Sequence, residues 1–126
     1  MTKPILCLDF DGVIHSYTSG WKGAAVIPDP PVDGAMKFIA EAVNHFRIAI
    51  FSSRTNQKGG LSAMQSYMHI ALCGEHQGDG HTIFELLEWP TEKPAAFITI
   101  DDRALTFDGT WPSIESLKTF KPWNKR

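Results

Sequence analysis

Residues 5–12, Ile5-Leu6-Cys7-Leu8-Asp9-Phe10-Asp11-Gly12, run four apolar side chains into two acids spaced two apart and end on a glycine. A short uninterrupted apolar run of this kind reads as a buried strand, and the Asp/Gly cluster that stops it reads as a turn. Two later stretches repeat the design. Ile48-Ala49-Ile50-Phe51 leads into Ser52-Ser53-Arg54-Thr55-Asn56, and Ala96-Phe97-Ile98-Thr99-Ile100 leads into Asp101-Asp102-Arg103. Between the first two strands, Ala35, Ile39, Ala42, Val43 and Phe46 recur at helical spacing, and Asn44-His45 ends that helix. Between the second and third, Leu61, Met64, Met68 and Leu72 line one helical face after Gly59-Gly60. Ser113 is a good N-cap, with Ser116 at the third helical position, for a last short helix reaching Phe120. The alternation predicts an α/β fold: a three-layer, Rossmann-like domain with a mostly parallel sheet and helices on both faces. The stretch 13–30, with Gly20, Gly23, Pro28 and Pro30, reads as an irregular flap. Gly74–His81 reads as a polar loop, and Ile83–Trp89 as a short helix or a strand.

The 126 residues suffice for one domain, spanning 1–126, and for one core. With 43% hydrophobic and 21% charged residues the composition is that of an ordinary globular protein. A net charge of −2 gives no overall field toward nucleic acid or anionic membrane. Two cysteines, Cys7 and Cys73, exclude a secreted disulfide scaffold. No apolar stretch is long enough to span a membrane, and no leader-type apolar region precedes Asp9, so a cytoplasmic protein is expected. A monomer is compatible with the sequence.

In parallel α/β sheets ligands bind outside the carboxyl ends of the strands. Three strand ends deliver polar groups to that edge: Asp9 and Asp11, Ser52 and Arg54, Asp101 and Asp102. Acids often end strands and start turns, so either acidic pair alone is unremarkable. Both pairs together with Ser52 are a different matter, because clustered carboxylates repel unless a cation neutralises them. Oxygen-only ligands suit Mg²⁺.

Taken in order, these segments resemble the motifs of the haloacid dehalogenase (HAD) superfamily of phosphohydrolases. Leu8-Asp9-Phe10-Asp11-Gly12-Val13 is similar to its first motif, Ile48-Ala49-Ile50-Phe51-Ser52 to its second, Lys93 before Pro94 to its third, and Ile98-Thr99-Ile100-Asp101-Asp102 to its fourth. The resemblance implies a HAD-like fold and a phosphatase in which Asp9 attacks phosphorus to form an aspartyl-phosphate. Asp11 would act as general acid and base, Ser52 would bond a phosphoryl oxygen, and Lys93 would offset the accumulated negative charge. Mg²⁺ would be held by Asp9, the Asp11 carbonyl and Asp102, with Asp101 acting through water. Gly12, Ser53, Arg54 and His15 would contact substrate. The family's cap domains have no room here, so the chain resembles capless members, in particular small HAD-like hydrolases of phages and prophages. Such members often take large or exposed esters, which suggests a phosphorylated small molecule or a nucleic-acid end.

Several features carry alternative readings. Arg54 suits a second substrate phosphate or a surface ion pair with an acid. His15 suits substrate contact or a solvated loop. Cys73, His76 and His81 are poor evidence for zinc without a paired-cysteine motif. The tail 121–126, with Lys118 and Phe120 before it, mixes aromatics and cations as single-strand binders do, although such tails usually pack their rings on the domain. A phosphoacceptor receiver domain is disfavoured because the paired acids come last here, and a P-loop kinase because its glycine-rich loop is missing. A non-catalytic nucleotide- or nucleic-acid-binding module on the same scaffold remains the alternative to an enzyme.

Overall fold

The computed structural model describes residues 2–125. Three strands form, β1 (Ile5–Leu8), β2 (Arg47–Ile50) and β3 (Ile98–Ile100). They make a parallel sheet of order β2-β1-β3. Leu8 lies opposite both Ile50 and Ile100, so the three strands end level and release their polar residues at one edge. Although first in sequence, β1 is central: the chain travels to one side for β2 and to the other for β3. The crevice beyond the strand ends at such a reversal is where ligands bind in open α/β sheets.

Four helices form among the described residues: α1 (Ala35–Ala42), α2 (Gly60–His76), α3 (Gly78–Glu85) and α4 (Ile114–Lys118), with a 3₁₀ turn at Trp123–Lys125. The sequence pattern predicts α1, α2 and α4. Alternation along the strands gives Leu6, Leu8, Ile48 and Ile50 to one cluster. Met36, Ile39 and Ala42 of α1 join it, as do Met64, Met68 and Leu72 of α2. Each large side chain removed from water here contributes about 1.5–3 kcal/mol. Phe10 and Ile14, fully buried in the turn after β1, extend the same cluster and so root the turn in the core. None of the helices is long and apolar enough to cross a membrane among the described residues.

The structure departs from the sequence reading in three places. Gly74–His81, expected as a loop, is largely helical: α2 continues to His76, the chain reverses at Gln77 with φ +54°, and α3 starts at Gly78. The α2–α3 hairpin packs Ile83 and Phe84 against the core, which a solvated loop would not do. The ambiguous segment Ile83–Trp89 is divided, with α3 ending at Glu85 and Glu88 forming a parallel bridge beside Ala49. Finally, β3 and residues 103–119 are exposed. Ile98 and Ile100 are 51% and 40% exposed, α4 buries no residue, and Leu105, Phe107 and Trp111 face solvent. The expected cap is nonetheless present: the Ser113 hydroxyl accepts the Ser116 amide at 3.1 Å. Thus α4 forms from local capping but does not cover the sheet as a third strand–helix unit was expected to do.

Candidate active site

The turn after β1 is built on one carbonyl. Phe10 O accepts the amides of Val13, Ile14 and His15, at 3.3, 2.9 and 2.9 Å, which folds residues 10–15 into a tight knot. Gly12 sits in it at φ +81°, and a Cβ there would overlap the Asp102 carboxylate. The glycine therefore supplies both a left-handed backbone and the clearance that lets β1 and β3 bring their acids together.

At this edge Asp9, Asp11, Ser52, Ser53 and Asp102 line one cavity of about 330 Å³, joined by Tyr17 and Trp21 of the flap and by Arg103. Carboxylate oxygens of Asp9, Asp101 and Asp102 all lie within 4.8 Å of one another. The crowding has an electrostatic signature. Burial, the hydrogen bond with Asp102 and the charges of Asp101 and Asp102 push the Asp9 carboxyl up to about 8, against a lowering bond from the Phe10 amide. Asp102 Oδ1 is buried without a hydrogen-bond partner, while its Oδ2 lies 4.0 Å from Arg103 Nε. An orphaned carboxylate oxygen beside two more acids is costly unless a cation meets it. These three residues form the one group of three metal-ligand side chains that converges among the described residues. Their all-oxygen donor set fits a hard divalent cation.

Asp11 belongs to the cavity but not to that triad. Burial would raise its carboxyl, yet hydrogen bonds from His15 and Arg54 outweigh burial and hold it below the usual carboxylate range. His15 Nδ1 lies 2.9 Å from Asp11 Oδ1, and the Asp29 amide donates to His15 Nε2 at 3.1 Å. Since Nε2 accepts, Nδ1 carries the proton and donates to Asp11. The imidazole is fully buried, flanked edge-on by Tyr17 and Tyr67, and Tyr67 Oη donates to the Asp29 carbonyl at 2.9 Å. Ser52 is buried in a hydroxyl-capped turn: its amide donates to Thr55 Oγ1 and its Oγ accepts the Arg54 amide, both at 3.1 Å. The Ser52 hydroxyl hydrogen stays free for a ligand in the cavity.

Several residues singled out from sequence are therefore together and others are not. Asp9, Asp11, Ser52, Ser53 and Asp102 share the cavity, and Asp101 joins Asp9 and Asp102 at its rim. Lys93 does not line it. It is exposed on the loop before β3 and makes no hydrogen bond or ion pair among the described residues. Its charge is felt at Cys7, where it opposes the rise caused by burial and by Asp9. His15, expected to touch substrate or to lie in a solvated loop, and Arg54, expected to hold a second phosphate or to pair with an acid at the surface, are both fully buried behind Asp11. Arg54 does pair with an acid, Asp11, but in the interior, because that carboxylate and the flap supply the partners both side chains need. Gly12 has both peptide groups occupied, its amide by the His15 carbonyl at 2.8 Å and its carbonyl by Trp123 Nε1 at 2.7 Å. That indole bond, with Asn124 Nδ2 on the Ser16 carbonyl at 3.2 Å, docks the tail on the turn and the flap. Arg126, the last residue of the tail, lies outside the described residues. His76 turns to Glu75 and the Met36 carbonyl, whereas Cys73 meets His69, so Cys73, His76 and His81 do not converge. Arg103, the cation that does line the cavity, follows Asp102 directly, and its place at a strand end was the available signal. Comparison with protein-family models, with curated proteins and with solved structures finds no match to this chain.

Proposed function

We propose that this protein is a Mg²⁺-dependent phosphomonoesterase of the capless HAD type, cytoplasmic, with a three-layer Rossmann-like fold and an aspartyl-phosphate intermediate. The observation that carries the reading is the convergence of Asp9, Asp11, Ser52 and Asp102 on one cavity at the carboxyl ends of three parallel strands. Phosphoryl transfer asks mainly for positioning and for charge stabilisation, which such an edge supplies.

Asp9 and Asp102, with Asp101 beside them, would hold the cation, whose chemistry is to neutralise charge on carboxylate and phosphoryl oxygens. Asp9 Oδ attacks phosphorus, and the bond from phosphorus to the ester oxygen breaks. The leaving oxygen takes its proton from the Asp11 carboxyl, which is loaded from solvent through the open cavity. His15 keeps its ring proton on the Nδ1 that faces Asp11 at 2.9 Å and orients that carboxyl. Water then attacks the phosphorus of the aspartyl-phosphate, Asp11 accepts its proton, and phosphate leaves with Asp9 regenerated. The ionised state in which Asp11 is held is the form this second half requires. Ser52 Oγ donates to a phosphoryl oxygen, and Arg103 takes the cationic part that Lys93 was expected to play. The open cavity walled by Tyr17 and Trp21 suits a phosphorylated small molecule or a nucleic-acid end, whose bases can stack on the rings. The position of Lys93 outside the cavity is the observation that favours the alternative, a nucleotide- or nucleic-acid-binding module without catalysis.

A panel of phosphomonoesters, including nucleotides, sugar phosphates and 3′-phosphorylated oligonucleotides, tests the proposal. Phosphate release is expected with Mg²⁺, loss with EDTA and recovery on adding Mg²⁺ back. Release that persists in metal-free buffer would remove the metal assignment, and binding without release would select the alternative.

A further inference from the structure

Arg54 is a fully buried arginine whose Nε and Nη1 are divided between two parts of the molecule, while its Nη2 is buried without a hydrogen-bond partner. Nε faces both Asp11 oxygens, at 3.2 Å to Oδ1 and 2.9 Å to Oδ2. Nη1 donates to three flap carbonyls, those of Gly23, Ala24 and Val26, at 2.9, 2.8 and 3.2 Å. The Trp21 ring lies over the guanidinium, 4.6 Å from its central carbon. Among the described residues, no other side-chain hydrogen bond reaches residues 21–27.

The root of the side chain is equally fixed. The Arg54 amide donates to Ser52 Oγ and its carbonyl accepts the Gln57 amide at 3.1 Å. Gly60, the first residue of α2, passes so close that a Cβ would overlap the Arg54 carbonyl. A rigid turn at the end of β2 therefore aims the guanidinium between the flap and Asp11. Removing an arginine from water costs several kcal/mol unless charge and hydrogen bonds replace the solvent. Here Asp11 supplies the charge and the flap supplies the neutral acceptors, so neither set suffices alone.

The geometry points to Arg54 as a positioning residue that makes flap closure and the orientation of the Asp11 carboxylate one event. The inference rests on the phosphatase reading for what Asp11 does, and on the hydrogen bonds alone for what holds the flap. The flap brings Tyr17 and Trp21 to the cavity wall, and Asp11 moves the protons. One guanidinium thus links contact with the leaving group to proton transfer on it. A lysine at this position keeps the charge but cannot span both sets of partners, because it lacks the planar fork. Coupling of this kind is reciprocal: whatever seats the flap also fixes Asp11.

The test uses the full chain and Arg54→Lys. Limited trypsin digestion, read by mass spectrometry, follows cleavage after Lys22 in the flap, with cleavage after Lys118 in exposed α4 as the internal control. Arg54→Lys should speed cleavage at Lys22 by at least ~10-fold and leave Lys118 unchanged, because local opening sets the rate. In the kinetic arm, the variant should lose at least ~10-fold more kcat on glycerol phosphate, a poor leaving group, than on para-nitrophenyl phosphate, since positioned proton transfer contributes ~10²–10⁴-fold. Adding Arg54→Lys to Asp11→Asn should cost less than ~2-fold further, as expected of residues acting as one unit. Cleavage at Lys22 at the wild-type rate, or kinetic losses that multiply in the double variant, would overturn the proposal. If no ester is hydrolysed by the wild type, the phosphatase reading falls and the Lys22 arm alone decides whether Arg54 holds the flap. Should Arg54→Lys fail to fold, Arg54→Met with Asp11→Asn removes both charges together and is judged by the same cleavage.

Discussion

Replacing Asp102 with asparagine should stabilise the metal-free protein at alkaline pH while abolishing its response to Mg²⁺. Asp9 is pushed up to about 8 by burial and by its acidic neighbours, whereas an aspartate in the unfolded chain titrates near 4. Between those limits the folded protein binds more protons than the unfolded one, so stability falls as pH rises from about 4 to about 8. About four pKa units at 1.36 kcal/mol each set an upper limit on the order of 5 kcal/mol for that loss. Asparagine removes one negative charge and offers an amide hydrogen to ionised Asp9. Recovering on the order of 2 kcal/mol at pH 8 is a fair expectation for one charge-assisted bond. For 126 residues and about 2.1 cal/mol/K per residue, this raises Tm by about 7 °C. At pH 5, where Asp9 keeps its proton, the two proteins should melt within about 2 °C, well under 1 kcal/mol apart. Mg²⁺ at about a hundred times its dissociation constant should add roughly 2.7 kcal/mol to the wild type at pH 8 and far less to the variant. Circular dichroism melts at both pH values, with EDTA or Mg²⁺, give all four numbers. A wild-type stability that does not fall between pH 5 and pH 8, with equal destabilisation of the variant at both, would refute the crowding argument.

Asp9→Asn keeps the shape and removes the attacking charge, so phosphate release should drop to background with an unchanged circular dichroism spectrum; turnover at the wild-type rate would end the covalent reading. Leu72→Ala opens a hole in a core where Leu72, Met64 and Met68 are wholly buried, and should cost about 2–5 kcal/mol in urea unfolding. Trp123→Phe deletes the indole bond to the Gly12 carbonyl, with an expected cost of roughly 1 kcal/mol in the same assay. If the cavity is the proposed phosphatase site, with Tyr17 and Trp21 on its wall, kcat/KM should rise at least ~10-fold, about 1.4 kcal/mol, from para-nitrophenyl phosphate to a nucleotide or oligonucleotide 3′-phosphate, and steady-state kinetics on both esters measure it.

The legible parts of the site were those set by neighbours in sequence. Asp9 and Ser52 follow an apolar run directly, and Asp11 and Asp102 come within two residues of the first acid after one, so recognising the strand fixes where the acids and the hydroxyl emerge. The helical face of Met64, Met68 and Leu72 was visible for the same reason, as was the Ser113 cap: both depend on spacings of three or four residues. The α2–α3 hairpin was not legible, because polar, glycine-containing Gly74–His81 reads as a loop until Ile83 and Phe84 find the core.

The sequence by itself determined a three-strand α/β plan with a row of polar residues at the strand ends, since apolar periodicity and turn residues act over a few positions. Tertiary structure alone decided which way the neighbouring side chains face. Arg54 turns inward because its partners are Asp11, 43 residues away, and flap carbonyls 28 to 31 residues away. His15 is buried for the sake of Asp11 and the Asp29 amide, and Lys93 is left exposed outside the cavity. A charged side chain takes the direction in which its lost hydration is best replaced, and that direction exists only once distant segments have met.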